Sequence, residues 1–315
     1  MTRKREIKIQ KNEAGIDLLT WISKRYTYHP LEKWKDYIEN FRVLVNSNQV
    51  TPDFLLQNGD VVIYYPEPVI EPPINSDYQT IYEDDDLLVI NKPADIPCHP
   101  GGIYFENTLW YILKEKYEYI SLVNRLDRET SGTMLIAKNK ESASFYFNKM
   151  MEREIEKEYI VLVHGVLDHS IDAKGWLTRD SKSTIRKKRL FTLDENATQE
   201  GGEGVPETEY SHSFFEPIKS QDNYTLINCK IYTGRTHQIR ATLFSLGYPV
   251  VGDKIYGLDE SFFFKFINDT LSNSEKEILV IQNQALHSYK TTLPMLNGGI
   301  RSFVSTPPQD WPLKL

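Results

Sequence analysis

The stretch Val-Asn-Arg-Leu-Asp-Arg-Glu-Thr-Ser-Gly, residues 123–132, sets Asp127 between Arg125 and Arg128 and ends on a glycine just before the apolar run Met134-Leu135-Ile136-Ala137. A carboxylate in that setting can be a nucleophile, an ion-pair partner or a turn residue. Two other pieces carry reactive or orienting groups. Glu156-Lys-Glu-Tyr159 places a tyrosine 32 residues after Asp127, and Thr233-Gly-Arg-Thr-His-Gln-Ile-Arg240 supplies Arg235, His237 and Arg240. Cys98 and His99 are adjacent, yet two ligands without cysteine or carboxylate partners are too few for a metal site, and none is expected.

The elements that must hold these residues follow from periodicity and punctuation. Asp86–Pro93, Glu158–Gly165 and Tyr224–Tyr232 read as strands, the first stopped by proline, and Lys140–Lys157 reads as a charged helix. Thr236 is placed to cap a helix that contains Gln238, Ile239 and Arg240 and ends at Gly247. Strands outnumber helices without alternating regularly with them, which predicts an α+β fold with a mixed, largely antiparallel sheet flanked by helices and loops. Residues 180 to 208 are expected to be a mobile loop.

Toward the N-terminus, Ile16–Tyr26 and Trp34–Phe41 have helical spacing, while Val43–Val50 and Asp60–Tyr65 read as short strands. Four prolines within residues 66–76 remove backbone donors and favour an extended spacer. Three segments result: a small α/β domain over 1–66, a proline-rich linker over 67–77, and a larger domain over 78–315.

With 315 residues the chain can bury a large core without staples. Two cysteines, Cys98 and Cys229, suit reduced thiols, and the charged N-terminus has no apolar stretch of the signal-peptide kind. No apolar run approaches the roughly 20 residues of a membrane span. A cytoplasmic protein without membrane partners is the expectation. The net charge of −7 argues against nonspecific nucleic-acid binding, but its distribution is uneven. Residues 1–66 carry ten Lys or Arg against eight Asp or Glu, and Lys182–Arg189 is a basic run of the sort that usually forms a solvated loop.

Four pieces in order resemble the RluA-type pseudouridine synthases, which isomerise uridine in ribosomal or transfer RNA. They are Val89-Ile-Asn-Lys-Pro-Ala-Asp-Ile-Pro-Cys-His-Pro100, the Asp127 stretch, Glu156–Tyr159, and Thr233–Arg240 followed by Leu246–Tyr256. The resemblance runs from about residue 78 to the C-terminus. Three positions depart from the family pattern: Asp95 stands for a glycine, Asn124 for a histidine, and Thr242 for another histidine. The helix, helix, hairpin order of residues 1–66 resembles the S4 RNA-binding module, although Asn40-Phe41-Arg42 stands where that module has a glycine.

The resemblance implies that Asp127 is the catalytic carboxylate, Arg240 its partner, Tyr159 the residue packed on the uracil, and Arg125 the residue that helps extrude the nucleotide. It implies structured RNA as partner, a monomer, and no cofactor, since breaking the N1–C1′ bond and joining C5 to C1′ involves no redox change. Asp127 could attack C1′ or C6, or take a proton from C2′; Tyr159 could also act as base for the C5 proton. Arg235 and His237 either touch substrate or brace the loop, and Lys92 is structural or contacts phosphate. The competing class is a noncatalytic RNA-binding or assembly factor on the same fold. A glycoside hydrolase is disfavoured because it calls for two carboxylates flanking the bond.

Overall fold

A computed structural model describes residues 4–67, 70–194 and 208–315. The chain separates into two compact units, Met1–Ile70 and Glu71–Leu315. In the first, β1 (Arg5–Lys8), α1 (Leu18–Arg25), α2 (Leu31–Glu39), β2 (Val43–Val45) and β3 (Val61–Tyr64) follow one another. Asp17 starts α1 by accepting the Thr20 amide at 2.8 Å. The two helices bury Leu18, Ile22, Trp34 and Ile38 against Val43, Val45 and Val62. β3 lies between β1 and β2, antiparallel to both. β1 is an addition to the expected helix, helix, hairpin order.

The second unit contains β4 (Gln79–Glu83), β5 (Leu87–Lys92), α3 (Leu109–Lys114), β6 (Ser121–Leu122), β7 (Ser131–Ala137), α4 (Lys140–Met151), β8 (Glu156–His164), β9 (Ile171–Arg179) and β10 (Arg189–Thr192). It continues with β11 (Thr208–Gln221), β12 (Tyr224–Ile231), α5 (Gln238–Ser245), α6 (Ser261–Ile267), α7 (Asn273–Leu279), β13 (Leu286–Pro294) and β14 (Ile300–Val304). Its strands form one mixed sheet in the order β10-β9-β11-β12-β8-β13-β7-β5-β4, with β6 on β7 and β14 on β13. Among the described ladders only β7 with β13 is parallel, so the α+β class with a largely antiparallel sheet holds.

The sheet has a core on each face. Leu88, Ile90, Met134 and Ile136 enter one, and their neighbours Leu87, Val89, Leu135 and Ala137 enter the other. Period-two alternation delivers successive side chains to opposite faces, and both are covered, so these strands read as unbroken apolar runs. Asp127 lies on the connection that enters β7. At that point Gly132 has φ +115°, and a Cβ there would come within 2.3 Å of the Ser288 carbonyl oxygen on β13. Only glycine lets β7 and β13 approach so closely.

Two sequence expectations need correction. The charged helix stops at Met151, because Arg153 takes a left-handed φ of 60° and the chain turns into β8. The expected loop over 180–208 contains β10, which pairs with β9; residues 195–207 lie outside the described residues. Its basic run is not simply solvated: Lys188 is buried and donates to Glu260 at 2.7 Å, and the Arg189 amide donates to the Tyr256 hydroxyl. Among the described residues no helix is long and apolar enough to cross a membrane.

Candidate active site

Asp127 is presented by a tightly anchored turn. The Asn124 side chain accepts the Leu135 amide at 2.9 Å, and the Cys98 thiol donates to the Leu126 carbonyl at 3.1 Å. Lys92 is fully buried and donates to the carbonyls of Pro93, Ile96 and Arg128, tying β5 to the residue after Asp127. Burial lowers its pKa to about 8, while Cys98, Asp127 and Asp95 pull the other way. Lys92 is therefore structural, with its donors spent on backbone oxygens. Thr130 closes the turn onto the Asp127 carbonyl and accepts from Gln284.

Arg240 reaches the site from the first turn of α5. Its Nη1 donates to Asp127 Oδ2 at 2.7 Å, while Nε and Nη2 form a two-point contact with Asp253 at 2.6 and 2.8 Å. The fork of one guanidinium thus serves two carboxylates, which a lysine could not do in this geometry. Asp253 is fully buried and also accepts the amides of Ile255 and Tyr256. It fixes Arg240 from behind. Asp127, in contrast, has a side chain 34% exposed, open enough for a substrate to reach.

α5 is not capped as its sequence suggests. His237, with φ 56° and no side-chain cap bond, occupies the cap position expected for Thr236. The physical reason is Gln238, whose amide side chain accepts the Arg235 amide and the Thr233 hydroxyl and donates to the His212 carbonyl and Ser213 hydroxyl. These four bonds shape the loop before the helix and leave the cap role unfilled. The far end agrees with expectation: Gly247, φ 88°, follows the C-cap and its amide returns to Phe244.

The loop places Arg235 and His237 differently. Arg235 braces it by donating to the Tyr210 carbonyl at 3.1 Å. His237 faces the site, with Nε2 at 4.0 Å from Asp127 Oδ1 and Nδ1 at 3.0 Å from the Tyr256 hydroxyl. That hydroxyl accepts the Arg189 amide and so has its proton free for Nδ1, which assigns the His237 proton to Nε2 on the Asp127 side. Burial and then Arg240 lower the His237 pKa to about 4, so the ring is neutral at pH 7.

Desolvation by itself would raise the Asp127 carboxyl. His237, Arg240 and the Gln284 side chain outweigh it and hold the pKa at about 2. Since His237 carries charge only below about pH 4, Arg240 is the cation that keeps Asp127 ionised near neutrality.

Tyr159 is buried in β8, opposite Cys229 on β12 and Ser288 on β13. Burial, then Cys229 and Asp127, push its phenol well above the ordinary range, against a hydrogen bond with Ser288. The influence of Asp127 places the two groups in one electrostatic site. Arg125 is exposed beside the turn and has no carboxylate partner among the described residues. The four residues singled out by sequence therefore lie on one turn, one helix start and one adjoining strand. Asp253, Gln284 and Ser288 had no assigned role. Asp253 stood visible in the Leu246–Tyr256 piece; the other two join through long-range pairing that no local pattern announces. Thr242, at a position of family departure, is fully buried within α5 and its hydroxyl has no partner among the described residues.

A family profile described as RNA pseudouridylate synthase matches residues 86–245. An Aquifex aeolicus protein named as an uncharacterised RNA pseudouridine synthase is 32% identical over 271 residues, covering 81% of each chain. Ribosomal large subunit pseudouridine synthase C of Buchnera aphidicola subsp. Acyrthosiphon pisum is 28% identical, over 86% of this chain and 83% of its own. The yeast mitochondrial tRNA pseudouridine(32) synthase is 32% identical over 73% of this chain and 48% of its own. Among solved structures, human RNA pseudouridylate synthase domain containing 1 shares the fold with a TM-score of 0.56, at 24% identity over 76% of this chain and 86% of its own. With the matched segment spanning Asp127, Tyr159 and Arg240, the chain belongs to the RNA pseudouridylate synthase family, in its RluA-type branch.

Proposed function

We propose that Asp127 carries the covalent or proton-transfer step of uridine isomerisation, with Arg240 holding it ionised and oriented. The protein is an RNA pseudouridine synthase, an isomerase, and its substrates are RNA. The observation that carries the assignment is the 2.7 Å contact between a fully engaged buried arginine and a carboxylate that remains a third exposed. An ionised, fixed and reachable oxygen is what attack at C1′ or C6, or removal of the C2′ proton, requires.

Tyr159 acts as a packing surface for the extruded uracil. Its raised pKa keeps the phenol protonated at neutral pH, which weakens the base role. Arg125 takes part in extrusion, since a guanidinium without a carboxylate partner can stack on a base or pair with phosphate. Leaving the stack costs a few kcal/mol in a folded RNA and much less in a loose strand. Arg125→Ala is accordingly expected to lower kcat/KM by about tenfold more on a folded hairpin than on an unstructured oligonucleotide. Equal losses on both substrates in single-turnover kinetics would contradict the extrusion role.

Relatives are named for ribosomal and for transfer RNA, and both remain candidate substrates. Tritium released from [5-³H]uridine-labelled transfer RNA and ribosomal RNA, assayed separately without added cofactor, tests the reading and selects the class. No release from either, with RNA binding intact, would favour the noncatalytic alternative.

Residues 1–66 serve as the S4-like RNA-gripping domain, joined through the linker over 67–77 to the catalytic domain over 78–315. Supporting this are the separate core of the first unit and its aromatic residues under cations: Arg5 on Tyr26, and Lys33 and Arg42 on Tyr37. Deleting residues 1–66 should weaken binding of the cognate RNA roughly tenfold or more, while turnover persists at high RNA concentration. Unchanged affinity in a filter-binding titration would remove the assignment.

A further inference from the structure

Arg125 stands apart from the other arginines around the turn. Arg128 lies 3.3 Å from Asp95 and 3.4 Å from Glu129, and Arg240 is engaged by two carboxylates. Arg125 instead borders an open pocket of about 390 Å³, lined also by His99, Trp110, Phe147 and the chain from 120 to 124. Its charge is felt at His99, whose pKa is lowered first by burial and then by Arg125. Phe147 is 43% exposed on the outer side of α4, where Met151 one turn on is also exposed. Lys114 sits 4.8 Å over the Trp110 ring.

The rings of His99, Trp110 and Phe147 with the Arg125 cation around one opening, and Lys114 against the Trp110 ring, are the chemistry that receives a nucleobase and its phosphate. Aromatic side chains stack with any base, and cations track the backbone. An acidic peptide would use the cations but not the stacked faces, and the net charge of −7 gives no general attraction for polyanions that would explain a local basic-aromatic cluster. The distance to the reacting group also fits. Two residues of extended chain span at most roughly 7 Å between Arg125 and Asp127, about one or two nucleotide steps along a strand.

We propose that this pocket binds a second, unpaired base of the substrate RNA, a close neighbour of the target uridine, stacked on Phe147 with Arg125 on its phosphate. This rests on RNA being the substrate of the Asp127 site. Holding the adjacent base out of the stack would stabilise the extruded state and let the enzyme favour loops over duplexes, a specificity set by shape and splayed bases.

The test uses a hairpin RNA that contains the isomerised uridine, and a set in which each of the three nucleotides on either side is replaced in turn by an abasic ribose. Turnover of the unsubstituted hairpin reports the isomerase reading separately. For the native protein, removing one particular base should cut kcat/KM about tenfold. Phe147→Ala should lose about the same factor on the intact hairpin and lose nothing further on that one abasic hairpin. Phe147→Trp should restore the native response. Absence of any sensitive position, or losses from Phe147→Ala and base removal that simply multiply, would overturn the proposal.

Discussion

Asp127→Asn should lower turnover by roughly 10⁴-fold or more while leaving RNA affinity and the fold nearly intact. Asparagine keeps the shape and an oxygen that can still accept from Arg240, so the turn anchored by Asn124, Cys98 and Lys92 has no reason to move. What disappears is the anion. Asp253 cannot substitute, being fully buried, with its oxygens taken by Arg240 and by the amides of Ile255 and Tyr256. The stability cost is at most about 2 kcal/mol, allowing for screening at a carboxylate that is a third exposed. Tritium release measured beside a binding titration and a thermal melt separates these effects. Residual turnover within tenfold of native would refute the catalytic assignment.

The pH behaviour follows from the same pair. Asp127 has a folded-state pKa of about 2 against an ordinary 3.8. Its contribution to stability is complete above the unfolded value and is lost as pH falls through the folded one. Its anion likewise persists over that range. No acid limb in the rate at or above pH 5 should trace to Asp127 in the native enzyme.

The Asp127 turn was legible because its pattern is local: two arginines, an aspartate and a terminating glycine within ten residues, followed by a run that must be strand. Even the need for Gly132 has a physical signature, although the partner that demands it, Ser288, is 156 residues away. The α+β layout was legible because strands outnumber helices without alternating regularly with them. Local pattern failed where tertiary bonds overrode it. Thr236 has the right side chain to cap α5, but Gln238 organises the preceding loop and puts His237 in that place. The basic run 182–189 looked solvated because charge is usually exposed; Glu260 and Tyr256, far along the chain, draw its last two residues inward. β1 escaped notice because one apolar residue in Arg-Glu-Ile-Lys makes no period.

Replacing Arg240 tests whether orientation and charge are separable. Arg240→Met removes the partner of Asp253, which is left as a buried, unneutralised carboxylate; breaking such a pair from one side costs about 3–5 kcal/mol. It also withdraws the cation that opposes desolvation at Asp127, so the Asp127 pKa must rise above its native value of about 2. Turnover should fall by roughly 10²-fold or more, and an acid limb should move upward in pH. Arg240→Lys discriminates between the causes. A single ammonium keeps the charge but cannot give two bonds to Asp253 and a third to Asp127, so it should recover stability more than rate. The measurement is a pH–rate profile together with a melt for both variants. If the lysine enzyme recovered native turnover, charge alone would account for Arg240; if it recovered stability while the rate stayed low, the fixed direction of the Asp127 carboxylate would be what the guanidinium supplies.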